Sequence, residues 1–173
     1  MYRFALYLLF LSVVTCCNNK KDDSSIHYPG EQYEYISPGS ILAPFKLTTY
    51  VPIYSHVYIL NGRSPLNLAA TLSIRSTDLR DSIIISKVDY YNSKGQLVKK
   101  YLDKVLLLKP MHSAEFVVEE VNTEGGAGAY FLIHSSATKS RNYLLVQAIM
   151  VSQAGSLGVT FKTEGITLDS TGL

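Results

Sequence analysis

The stretch Asn67-Leu68-Ala69-Ala70-Thr71-Leu72-Ser73-Ile74-Arg75 decides the fold class. Side chains of an extended chain alternate between two faces, so a period of two sorts these residues. Leu68, Ala70, Leu72 and Ile74 fall on one face, and Ala69, Thr71, Ser73 and Arg75 on the other. That is a strand with one side on a core. Upstream, Lys46 to Ile53 reads as another, with Pro52 marking an edge or a bend because proline lacks a backbone donor. Tyr54 to Tyr58 continues extended, with Tyr54, His56 and Tyr58 on one face, and 61–65 is a loop. Downstream, after a turn at 76–81, Ser82 to Tyr91 and Gln96 to Tyr101 flank Asn92-Ser93-Lys94-Gly95. This is a hairpin turn, with glycine where φ must be positive. Val105 to Leu108, Ser113 to Glu120, Ala129 to His134, Tyr143 to Val151 and, as the last strand, Val159 to Thr163 follow, with turns at 109–110 and 153–158. In the strand at 113–120, Phe116 and Val118 share the core face. No segment has the 3.6-residue period of an amphipathic helix. About eight or nine short strands imply an all-β chain: an immunoglobulin-like β-sandwich, with a small β-barrel as the alternative.

The chain has 173 residues, 47% hydrophobic and 17% charged, which suits one folded domain with a modestly charged surface. A formal net charge of +2 comes without the concentrated basic stripe that nucleic acid selects, so nucleic acid is not expected as a partner. Thirteen tyrosines against no tryptophan favour pleated, half-buried surfaces. Cys16 and Cys17 are the only cysteines, which leaves the body without a disulfide, a thiolate metal site or a cysteine nucleophile.

Residues 1–15 carry one early positive charge, Arg3, and then an apolar run from Phe4 to Val14. That run is too short for a bilayer span of about 20 residues and fits the core of a secretory signal. With the cysteines directly behind it, the leader resembles a bacterial lipoprotein signal, lipidated at Cys17, with Cys16 as the alternative. A secretory signal without lipid is the plainer reading. The expected organisation is a signal peptide at 1–16, a polar tether at 17–44 and a β-sandwich domain at 45–173. The run Lys20-Lys21-Asp22-Asp23 resembles Bacteroidetes-type lipoprotein leaders, in which acidic residues favour export to the outer surface. The localisation implied is the bacterial cell envelope, as an outer membrane lipoprotein on the periplasmic or surface face. The partners expected are the membrane, through the lipid, and an envelope protein or glycan. Tyr28, Tyr33 and Tyr35 in the tether either lie loosely on the domain or mark a segment that pairs along a sheet edge.

Chemistry concentrates in 115–130, which holds the densest glycine run. Glu119, Glu120, Asn122 and Glu124 offer hard oxygen ligands beside Gly125, Gly126 and Gly128, and calcium is the cation such a set suits. The spacing matches no calcium loop, and a solvated acidic turn, with glycines kept for positive φ or close packing, is the alternative. A phosphate loop fails on context, because a strand follows where a helix should. Ala154-Gly155-Ser156-Leu157-Gly158 looks like a damaged nucleophile elbow, again without its helix. Ser55 and His56 make no dyad in an extended chain, since neighbours face opposite ways. Asp89 with Glu119 is the best guess at a carboxylate pair for glycoside hydrolysis. His27, His56, His112 and His134 show no metal-ligand spacing. Tyr54, Tyr58, Tyr90, Tyr91 and Tyr101 either form an exposed patch for a protein or glycan or fill the core and its rim.

Tyr50-Val-Pro-Ile-Tyr-Ser-His-Val-Tyr58, Leu72-Ser-Ile-Arg-Ser-Thr-Asp78, Val88-Asp-Tyr-Tyr91 with 95–102, Glu115-Phe-Val-Val-Glu-Glu120 with Gly125-Gly-Ala-Gly-Ala129, and 147–161 together resemble a family of small exported bacterial domains of unknown function. The resemblance spans nearly all of 46–163. It implies a single exported domain and supplies no activity. The 72–78 stretch is also loosely similar to the strand-ending motif of desiccation-related β-sandwich domains, which supports the sandwich. The expected function is a lipid-anchored, non-enzymatic binding or structural module of the bacterial cell envelope. The alternatives are a calcium or small-ligand binding domain using the Glu119–Gly128 loop and, third, an envelope hydrolase.

Overall fold

The structure, a computed structural model, describes residues 33–139, 144–154 and 157–171. Among these residues it has thirteen strands and no helix. In chain order they are β1 (Glu34–Ile36), β2 (Phe45–Ile53), β3 (His56–Ile59), β4 (Ser64–Asn67), β5 (Ala69–Ser76), β6 (Ile83–Tyr91) and β7 (Leu97–Lys100). There follow β8 (Val105–Leu108), β9 (Ser113–Val118), β10 (Ala129–Ala137), β11 (Leu144–Ala154), β12 (Leu157–Glu164) and β13 (Ile166–Thr171). One antiparallel sheet has seven strands, ordered β1-β8-β6-β10-β2-β13 with β7 on β6. A second has four, β12-β11-β5-β9, and β3 and β4 form a separate hairpin. No sheet closes on itself, and the two larger ones face each other across one core. This is a sandwich, and the barrel alternative falls.

Alternation sorts the side chains. In β10 the odd-numbered residues from Ala129 to Ala137 are buried and the even-numbered ones half-buried. In β2, Leu47, Thr49, Val51 and Ile53 point inward. The facing sheet contributes Ala70, Leu72 and Ile74, then Ala114, Phe116 and Val118, then Val146, Ala148 and Met150. Burying each large apolar side chain is worth roughly 1.5–3 kcal/mol, so the two faces together outweigh any one strand's local preference.

The strand count exceeds the expected eight or nine for identifiable reasons. The 67–75 stretch divides at Leu68: Asn67 ends β4, and β5 begins at Ala69. Leu68 is still fully buried, and its N–H donates to Ser55 O at 2.9 Å. β1 lies within the segment read as tether and pairs with β8, Glu34 opposite Leu107. The expectation that the last strand is Val159 to Thr163 is corrected by β13, which pairs with β2.

Gly165 is the corner where the chain leaves the four-stranded sheet for the seven-stranded one. Its N–H donates to Val146 O at 2.8 Å. A Cβ there would sit 2.8 Å from Thr49 Cγ2 and 3.2 Å from Val146 Cβ and Val51 Cγ2. The close approach of the two layers thus requires glycine.

The β9 edge is covered without a strand. Tyr33 Oη donates to Glu115 O at 3.1 Å and accepts the Glu115 N–H at 2.6 Å. Tyr101 Oη donates to Val117 O at 2.8 Å. These phenols take backbone hydrogen bonds that an added strand would otherwise take.

Between β1 and β2, segment 37–44 passes over the outer face of the seven-stranded sheet. Ile84 is only 8% exposed although it shares the outer face with Ser136, its neighbour on β10, because the strap covers it.

Candidate interaction surface

The glycine loop expected to be the site is occupied by the protein's own architecture. Gly125 O accepts from Ser93 N at 2.9 Å and from Ser93 Oγ at 3.0 Å. The same hydroxyl accepts the Gly128 N–H at 2.9 Å. Gly126 O accepts from Ser55 N and Ser55 Oγ, both at 3.1 Å. Both glycine carbonyls therefore have their two acceptor positions filled. The glycines themselves answer to close contact. A Cβ on Gly125 would lie 1.8 Å from Tyr90 Oη. One on Gly126, where φ is +77°, would lie 2.6 Å from Ser93 Oγ. Gly128 is also tight against Ser93, at 3.3 Å.

The acidic residues beside them do not converge. Glu119 and Glu120 are exposed, and Glu119 O accepts the Asn122 N–H at 2.9 Å. Asn122 Oδ1 accepts the Glu124 N–H at 3.2 Å, and Ser152 Oγ reaches Glu120 Oε1 at 3.5 Å. Among the described residues no three carboxylate, histidine or cysteine side chains gather as a metal site. Asp89 lies on β6 in the seven-stranded sheet, whereas Glu119 follows β9 in the other. Cys16 and Cys17 lie outside the described residues.

The Tyr54–Tyr58 segment is bent where an extended run was expected. The chain turns at Ser55, which separates Tyr54 from the hairpin. Tyr54 packs edge-on against Phe161, with ring centroids 5.7 Å apart. His56 and Tyr58 do share a face: their rings meet edge-to-face at 5.1 Å, with Nε2 3.3 Å from the phenol oxygen. The bend also brings Ser55 Oγ to 3.5 Å from His56 Nδ1, which corrects the expectation that the two side chains face apart. Ser55 is fully buried and its hydroxyl is held by Gly126 O, so no nucleophile results.

The tyrosines divide in a way composition could not show. Tyr90 is fully buried against Phe131, and Tyr101 packs on Phe116 and Phe131. Tyr90 Oη has no hydrogen-bond partner among the described residues, and burial pushes its pKa up to about 12. Tyr91 instead joins Tyr130 and Tyr50 in a row across β6, β10 and β2. Tyr91 and Tyr130 stack at 5.2 Å and 7°, and Tyr130 and Tyr50 follow at 4.9 Å and 31°. Ile166 stands opposite Tyr50 and is 59% exposed, Leu168 follows at 56%, and Leu97 stands opposite Tyr91 at 45%. Burial raises the Tyr50 and Tyr91 phenols above the ordinary tyrosine value, so these two stay neutral at physiological pH. Because the rings stack on one another, their π-faces are largely spent within the row. The three tyrosines are half-buried, and exposed aliphatic side chains border them.

A solved structure from Thermotoga maritima is similar at 14% identity, over 73% of this chain and 96% of that one, with a TM-score of 0.39. That likeness is too weak to assign a fold or a function. No curated protein matches the chain. The match that spans most of the body is to a family model over residues 46–168. The chain belongs to that family, described as Protein of unknown function (DUF3124).

Proposed function

We propose that the chain is a non-enzymatic binding module of the bacterial cell envelope, lipid-anchored at Cys17 or Cys16, that recognises an envelope protein through the outer face of its seven-stranded sheet. The observation that carries the binding half is the Tyr91–Tyr130–Tyr50 row with exposed Ile166, Leu168 and Leu97 around it. An antiparallel sandwich ordinarily turns polar side chains outward. A contiguous aromatic and aliphatic patch on that face is the composition of an interface centre. A protein is favoured over a glycan because sugars stack on open ring faces, and here two of the rings cover each other. The anchoring half rests on the apolar leader that ends in two cysteines.

The test places a photo-crosslinking residue at Tyr50 of the full chain in cells, with a control at Thr160 on β12. One defined adduct at position 50, weakened by Leu168→Asp, is expected. Equal or absent cross-linking at both positions would remove the interface. Palmitate labelling that survives replacement of both cysteines would remove the anchor.

A further inference from the structure

The same outer face carries a second, chemically different feature at its other end. Between the 37–44 strap and the sheet runs an open groove of about 610 Å³. Its floor presents Lys46, Thr48, Ser86, Lys87, His134 and Ser136. Ser86 is the extra residue of a β-bulge, since the register jumps from Lys87 opposite His134 to Ile85 opposite Ser135. Its hydroxyl donates to His134 O at 3.2 Å, which fixes the bulge. Thr48 Oγ1 lies 3.4 Å from His134 Nδ1. Pro38, Ile41 and Ala43 on the strap give the groove an apolar wall.

We infer that this groove binds a phosphate monoester on an organic body. The volume is that of a small-ligand site, which typically spans about 300–1,000 Å³. Among the described residues that line it there is no carboxylate, and Asp169 stands opposite Thr48 on the neighbouring strand β13, at the groove's edge. Lys46 and Lys87 are exposed and form no ion pair among the described residues. Two ammonium groups against the one carboxylate residue at the edge, Asp169, leave the concavity net positive, the sign that suits the charge of about −1.5 to −2 on a phosphate monoester at pH 7. The Thr48 and Ser136 hydroxyls and the imidazole supply further hydrogen bonds, the Ser86 proton being committed to His134 O, and the apolar wall accepts the carbon skeleton. Either a membrane lipid headgroup or a soluble sugar phosphate presents this chemistry. The inference is separate from the tyrosine row, which uses different residues.

Calorimetric titration of the full chain in non-ionic detergent separates the two sources. One arm uses glycerol 3-phosphate, and the other uses micelles doped with phosphatidic acid against micelles doped with phosphatidylcholine. Saturable heat is expected in one arm, and K46Q/K87Q should weaken it about tenfold or more, the size of a lost charged hydrogen bond. Heat with glycerol 3-phosphate indicates a soluble ligand, and heat with phosphatidic acid alone indicates a headgroup. Both lysines are on the surface, so the variant should melt with the wild type. Saturable heat in neither arm, or heat that K46Q/K87Q leaves unchanged, overturns the inference.

Discussion

Gly125→Ala and Tyr90→Phe act on the two sides of one contact and should have opposite consequences. A methyl group at position 125 would lie 1.8 Å from Tyr90 Oη, 2.7 Å from Tyr90 Cζ and 2.8 Å from Ala129 Cβ. Tyr90 cannot swing away, because it is fully buried with its ring 5.3 Å from that of Phe131. The loop must move instead, and the two bonds from Ser93 to Gly125 O go with it. Overpacking of about 1–3 kcal/mol plus two hydrogen bonds of about 1 kcal/mol each gives a loss of roughly 3–5 kcal/mol. In a domain of this size that lowers Tm by roughly 10–20 °C. Tyr90→Phe removes a buried hydroxyl that has no partner among the described residues. Such a group costs about 1–3 kcal/mol to bury, so its removal should be neutral or stabilising by up to about 1 kcal/mol. In the double variant the oxygen contact is gone but the ring carbon remains, so the two changes should couple by about 1 kcal/mol. Urea unfolding followed by far-UV circular dichroism gives all four stabilities. Gly125→Ala costing under about 0.5 kcal/mol, a surface-like value, would refute the pinned loop. Tyr90→Phe destabilising by as much as Tyr101→Phe would show that its hydroxyl is satisfied.

Three further outcomes follow from the packing. Gly165→Ala should destabilise by about 1–3 kcal/mol, because the methyl would enter between Thr49, Val51 and Val146; an unchanged urea midpoint would contradict the corner. Tyr33→Phe with Tyr101→Phe strips the phenols from Glu115 and Val117, and should cost about 1 kcal/mol per lost hydrogen bond and promote self-association through β9. Size-exclusion chromatography at rising concentration checks it, and a strictly monomeric double variant would count against the edge role. Burial raises the pKa of Tyr90 to about 12 and that of Tyr101 further, whereas unfolded tyrosines titrate near 10. Above pH 10 the unfolded chain releases protons that the native chain keeps, so stability is full below pH 10 and falls as pH rises towards 12. Tyr90→Phe should make that fall shallower in urea midpoints measured across the interval.

Much of the sandwich was legible because burial and alternation are local. Leu68, Ala70, Leu72, Ile74, Phe116 and Val118 are buried as the period of two requires. The 92–95 hairpin was legible from Asn92 and Gly95, and Asn92 Oδ1 indeed accepts from Lys94 N and Gln96 N. Pairing between distant strands was not legible. Tyr50 and Tyr130 become neighbours only through the β2–β10 register, so the tyrosine row had no local signal beyond alternation in each strand. The 125–128 glycines did announce a special backbone. Composition could not tell whether they yield to a ligand or to Ser93 and Tyr90, and the latter holds. The strand after Val159 to Thr163 had no local signal, because the Gly165 corner that leads into β13 looks in sequence like any strand end. Nothing local in the sequence ties Tyr33 to the β9 edge; its two hydrogen bonds to Glu115 do.

The pairing of β2 with β13 also sets a schedule. β2 is an early segment, yet its two neighbours come from 129–137 and 166–171, and β1 likewise waits for β8. Each such pairing must overcome the entropy of closing a long loop before it returns any stability, which makes folding slow. The seven-stranded sheet reaches its full width only when 166–171 turn the Gly165 corner and dock. For a chain exported as proposed above, this wiring would keep the polypeptide slack enough to thread a membrane channel, and the last strand would then act as the latch.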